Sequence, residues 1–168
     1  MLTRGRNRYK LLSITIWSAR SVKLTPAQYR DALGISQETL RHWRRSLPIF
    51  QGRRGYAPAF TSGDLVVGAV IKLLRERWGI SVTAFADQST ELGEAVGRTS
   101  WPSLAASSLR LSLTSTDCEL VPTTSTQAIY SPCLVVTLGP IIEYLTAALL
   151  EDEGQSQIYF PPDPIGIK

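Results

Sequence analysis

The chain has 168 residues, 43% of them hydrophobic, and a formal net charge of +4, which is enough material for one ordinary domain or two small ones with a buried core. The charge is unevenly placed: residues 1–60 carry twelve basic and two acidic side chains, and the remaining 108 carry six basic and twelve acidic. This polarity predicts a nucleic-acid-facing N-terminal part and an acidic part with another role. No strong apolar face accompanies the arginines to suggest membrane binding.

Taken in order, residues 1–23 open with the basic run Arg4 to Lys10. It reads as an arm for phosphates or a minor groove, or as a solvated terminus. Leu11 to Trp17 alternates with β-branched residues, so a short strand is possible there. Thr25, Pro26 and Gln28 predict a capped helix with an apolar face of Tyr29, Ala32 and Leu33, ended by Gly34. Ser36 caps a second helix, Gln37 to about Leu47, which buries Leu40, Trp43 and Leu47 and is stopped by Pro48.

Two short helices around a tight turn have the layout of a DNA-binding helix-turn-helix, in which the second helix enters the major groove. An ordinary amphipathic hairpin with a solvated charged face is the alternative. The loop Gln51 to Pro58 sets Arg53 and Arg54 between glycines, where they can press on phosphates. Tyr56 can reach a sugar or phosphate, or else cover Trp43. Thr61 to Trp78 predicts the strongest helix, capped by Thr61 with Asp64 and ended by Gly79. A further helix is expected from Ser81 through Phe85, resuming near Leu92 to Val96.

The series Ile35-Ser36-Gln37-Glu38-Thr39-Leu40-Arg41-His42-Trp43-Arg44-Arg45 resembles the recognition helix of MerR-type winged helix-turn-helix regulators, V-S-x-x-T-I-R-Y-Y-E-R. Gly55-Tyr56 with Phe60 and Asp64-Leu65 resembles that family's wing and the start of its third helix. Leu73-Leu74-Arg75-Glu76-Arg77-Trp78-Gly79-Ile80-Ser81 resembles its junction into a fourth helix. The resemblance spans about residues 24–96. In this chain Ala57 replaces the family's wing arginine, and Pro58 and an extra residue alter the wing. The resemblance implies major-groove contacts from Gln37, Glu38 and Arg41, with Ser36 at the head of the helix. Thr39, His42, Arg44 and Arg45 would hold phosphates or brace the helix. Arg53, Arg54 and Tyr56 would touch flanking backbone.

The long dimerisation helix common in that family is not expected here, because Gly97, Trp101-Pro102 and a Ser-rich stretch interrupt it. Instead, Leu109 to Leu113, Cys118 to Val121 and Cys133 to Leu138 predict strands, and Ile141 to Glu151 predicts a helix. The expected fold is therefore mainly α with some β: an N-terminal winged helix-turn-helix domain plus a small α+β C-terminal module. The expected divisions are a basic arm 1–23, the DNA-binding domain 24–97, a linker 98–108, a self-association module 109–151 and an extended tail 152–168.

Cys118, Cys133 and the lone His42 lack metal-ligand spacing, and no phosphate-binding glycine signature or nucleophile elbow is present. Neither catalysis, a cofactor nor a membrane span is expected. The expectation is a sequence-specific double-stranded DNA-binding protein, a homodimeric transcription regulator of the cytoplasm and nucleoid. The C-terminal module offers a possible surface for a protein partner. An architectural or accessory DNA-binding protein (phage excisionase, packaging or DNA-segregation factor) and a protein-interaction module are the alternatives.

Overall fold

Three side-chain caps and two helix-ending left-handed glycines punctuate the first half of the chain, and each stands where local chemistry asks for it. In the computed structural model, which describes residues 23–53, 57–126 and 131–155 (side chains to 150), α1 spans Pro26–Leu33. The Thr25 hydroxyl accepts from the Gln28 amide at 3.3 Å, and Gln28 Oε1 accepts from the Thr25 amide at 3.0 Å. Gly34 ends α1 at φ 60, with the Ile35 amide donating back to the Arg30 carbonyl at 3.0 Å. Ser36 then caps α2, Gln37–Ser46, by accepting from the Thr39 amide at 3.0 Å.

Pro48 does more than stop α2. A short 3-10 turn, Pro48–Phe50, sends the Phe50 ring inward to meet Trp43 at 6.3 Å and Tyr29 at 5.9 Å. The returning chain meets residue 24 in an isolated antiparallel bridge, Leu24 to Phe60. Helix α3, Ser62–Trp78, follows with a second reciprocal cap from Thr61 and Asp64, and it ends at Gly79 with φ 66. Its buried residues run almost without a break from Gly63 to Ile71, because other elements pack around most of its circumference.

A 3-10 turn, Val82–Phe85, replaces the first part of the expected next helix, and α4 begins at Ser89 and runs to Gly97. Residues 98–108, read from the sequence as a linker, contain helix α5, Trp101–Ala105, and the start of the first strand. Strands β1 (Ser107–Ser112), β2 (Cys118–Pro122) and β3 (Cys133–Thr137) make an antiparallel sheet in the order β2-β1-β3. Leu109 pairs with Leu120 on one side and Val136 on the other, so one face presents an apolar row to the helices. Helix α6, Gly139–Gln155, returns across α3 and α5.

The described residues thus form a mixed helical and β structure: six helices and a three-stranded antiparallel sheet. One apolar cluster extends from Leu24 through α3 and the sheet to Leu149. Lys72 strengthens that continuity by donating to the Leu33 carbonyl at 2.7 Å, which ties α3 to the end of α1. The basic arm up to residue 22, the strand expected at 11–17, Arg54, Tyr56 and residues 156–168 of the expected tail lie outside the described residues, while 152–155, expected to be extended, continue α6. Between α2 and α3, the described residues of the expected wing comprise the 3-10 turn, a turn at Gln51-Gly52 and the single bridge at Phe60.

Candidate nucleic-acid interface

Helix α2 sits at the edge of the molecule and is held from one side only. Leu40 and Trp43, at 2% and 1% exposure, anchor it to the 3-10 turns, while Gln37, Glu38, Arg41, His42 and Arg45 face solvent. At about 100° of rotation per residue, Gln37, Arg41 and Arg45 form a continuous polar stripe from the first turn to the last. Their long side chains have the donors needed to reach base edges and phosphates.

The other expected contact residues have assignable local work. Ser36 Oγ and Thr39 Oγ1 lie 2.9 Å apart within the cap, so both hydroxyls are partly engaged at the head of the helix. Arg41 pairs with Glu38 at 2.6 Å, but their side chains are 58% and 75% exposed, which makes the pair weak and easily exchanged for another anion. His42 Nδ1 stands 3.5 Å from Ser46 Oγ, a distance too long to hold the ring firmly.

Arg53 faces a different way from the expectation of a backbone contact. Its Nε donates to the Ile49 carbonyl at 3.2 Å and one terminal nitrogen donates to the Ala59 carbonyl at 2.6 Å. The same nitrogen pairs with the carboxylate of Asp64, which is only 4% exposed. That carboxylate also accepts the Thr61 amide at 2.6 Å and the Thr61 hydroxyl at 2.8 Å. One buried acid therefore caps α3 and clamps the loop that follows α2. Asp64 is recognisable in the sequence as a cap; its second role needed the loop to fold back eleven positions.

Around this clamp the Phe60 ring has two cationic neighbours. The Arg44 and Arg53 guanidinium carbons lie 5.4 Å and 5.7 Å from the Phe60 ring centre. Phe60 in turn stacks on Tyr29 at 4.1 Å, and Tyr29 donates to the Asp64 carbonyl at 3.1 Å. Burial, with Asp64 adding and Arg53 opposing, raises the Tyr29 phenol well above its ordinary range. Burial likewise lowers the basicity of Arg44.

These placements leave a concavity of about 640 Å³ between the later turns of α2 and the Gln51-Gly52 turn. Arg41, Arg44, Arg45 and Arg53 all line it, with Glu38 at one side. Sequence reading identified these arginines individually but not their convergence. Arg54 and Tyr56, expected in the same interface, lie outside the described residues.

The cysteines offer no comparable chemistry. Burial, helped by Glu91 and Asp117, pushes the Cys118 thiol up to about 11, so little of it is thiolate near neutrality. No helix among the described residues is long and apolar enough to cross a membrane. No known protein family, curated protein or solved structure matches the chain.

Proposed function

We propose that this chain is a sequence-specific double-stranded DNA-binding protein whose helix-turn-helix is of the MerR type. In this reading α2 enters the major groove. Gln37, Glu38 and Arg41 read base edges, His42 and Arg45 meet phosphates, and the loop after α2 lies on flanking backbone. The observation that carries the reading is the polar stripe of α2, solvent-facing along its length, whose Arg41 and Arg45 converge with Arg44 and Arg53 on one cleft.

A regulator acting as a homodimer is the form we propose for the whole molecule, located with the nucleoid in the cytoplasm. Support for self-association comes from a second surface, formed by the end of α1, α3, β3 and α6. Trp78, Val135 and Tyr144 are 48%, 42% and 50% exposed and line one groove between α3 and the β3–α6 corner. Large apolar side chains gathered in one exposed groove mark an association surface. Two copies joined there would present two α2 helices to two half-sites.

Fluorescence anisotropy with mixed-sequence duplexes at two salt concentrations tests the reading. Binding that weakens steeply with salt supports it, because displaced counterions accompany each neutralised phosphate. Absence of binding even at low salt would remove it.

A further inference from the structure

The arginine cleft beside α2 contains more positive charge than its own acids neutralise. Arg41 has Glu38 as its partner, and Arg53 is held by Asp64. Arg44 and Arg45 have no carboxylate partner among the described residues. Arg44 is the more exacting case, since its Nε and Nη2 are buried with no hydrogen-bond acceptor among the described residues. The Phe60 ring centre lies 5.4 Å from its guanidinium carbon, and that ring offers those N–H groups no lone pair. Unpaired buried donors on a charged group are costly, and the neighbouring charge of Arg45 adds to that cost.

An anion seated in the cleft would relieve both. It brings negative charge between the two guanidinium groups and offers acceptor oxygens to whatever donors they turn toward it. Guanidinium forks match the paired oxygens of a phosphate. The volume of about 640 Å³ exceeds what one phosphate group fills, leaving room for substituents on either side of a diester.

We propose that this cleft is a phosphate-binding site in which Arg44 and Arg45 hold a single phosphate group, and that in the DNA complex the occupant is a backbone phosphate beside the bases read by Arg41. The identity of the occupant as DNA backbone rests on the function proposed above; the phosphate chemistry rests on the cleft alone. Arg44, half-buried over Phe60, holds the phosphate from the inner side of the cleft. Arg45 closes from the exposed side.

The test has two arms, both on the full chain. In the first, inorganic phosphate is titrated against chloride at matched ionic strength while the arginine Nε–Hε signals are followed by NMR. Saturable shifts are expected at Arg44 and Arg45 and not at Arg98, with the response weakened at least tenfold in Arg45→Gln. In the second arm, duplex binding is measured for Arg44→Lys, which keeps the charge and loses the fork, and for the solvent-exposed Arg45→Gln. Each is expected to lose roughly tenfold or more in affinity on every sequence, and Arg45→Gln to reduce the salt slope by about one.

Unchanged DNA binding in both variants together with no phosphate response overturns the proposal and leaves the DNA-binding reading standing. A loss confined to one DNA sequence also overturns it, because Arg45 would then be reading a base. A saturable phosphate response in a chain that binds no DNA keeps the site, assigns it to a free phosphoryl compound, and removes the DNA-binding reading.

Discussion

Replacing Asp64 with Asn tests whether one buried carboxylate organises both α3 and the loop beside α2. Asparagine retains an oxygen for the Thr61 amide but cannot neutralise Arg53, so the variant isolates the ionic half of the arrangement. Breaking a buried ion pair costs about 3–5 kcal/mol when the surviving charge stays buried. The Arg53 side chain is 24% exposed against 5% for Asp64, so part of the stranded charge regains water. That places the expected loss near the lower end, about 3 kcal/mol. Urea unfolding followed by circular dichroism reads it directly. With a denaturant slope of about 2 kcal/mol per molar, the midpoint should fall by about 1.5 M. Arg53→Gln in the same background should recover part of the loss, and the double-mutant cycle should show a coupling of about 1–3 kcal/mol. An Asp64→Asn midpoint within about 0.2 M of the parent, which is under about 0.5 kcal/mol, would refute the clamp.

Gly68→Ala should destabilise even though alanine is the better helix former. A Cβ there would overlap the Tyr29 hydroxyl and lie 2.7 Å from Leu33 Cδ1. Overpacking of about 1–3 kcal/mol outweighs a propensity gain of about 1 kcal/mol, and a raised thermal midpoint would contradict this. Alkaline stability should depend on Tyr29, whose folded-state pKa lies well above 10.0. The phenol stays protonated in the folded chain while the unfolded chain ionises, so its contribution is complete below pH 10 and is lost as pH rises further. Tyr29→Phe should flatten that alkaline decline in urea midpoints measured between pH 8 and 11, and an unchanged slope would exclude the mechanism. Arg41→Ala should leave the unfolding free energy within about 0.5 kcal/mol of the parent, because its pair with Glu38 is solvent-exposed. A larger loss would make Arg41 a structural residue.

The parts of this fold that were legible in the sequence are those governed by near neighbours. Thr25 with Gln28, Ser36, and Thr61 with Asp64 cap helices through contacts three residues away, and Gly34 and Gly79 end them by their own backbone freedom. The strands were recognisable from alternation, since Leu109 and Leu111 face the core together. Their order was not, because placing β3 beside β1 depends on pairing across more than twenty residues.

Legibility also failed where a side chain had two available directions. Arg53, between glycines, is equally suited to phosphate and to an internal acid, and only the fold-back that brings Asp64 near it decides. Arg44 occupies an ordinary position on a basic helix; its place over Phe60 depends on a ring sixteen residues away. The same long-range closure gathers the four arginines into one cleft, so their individual candidacy was readable and their convergence was not.

The central claim, that α2 reads DNA sequence, is tested most directly by selection from a random-sequence duplex pool with the parent chain and Arg41→Ala in parallel. The account predicts an enriched motif for the parent, repeated about two-fold symmetrically, whose preference relaxes in Arg41→Ala at the position that side chain reads; a bidentate base contact is worth about 1–3 kcal/mol of discrimination. No enrichment by the parent, or the same motif enriched equally by both proteins, would contradict it.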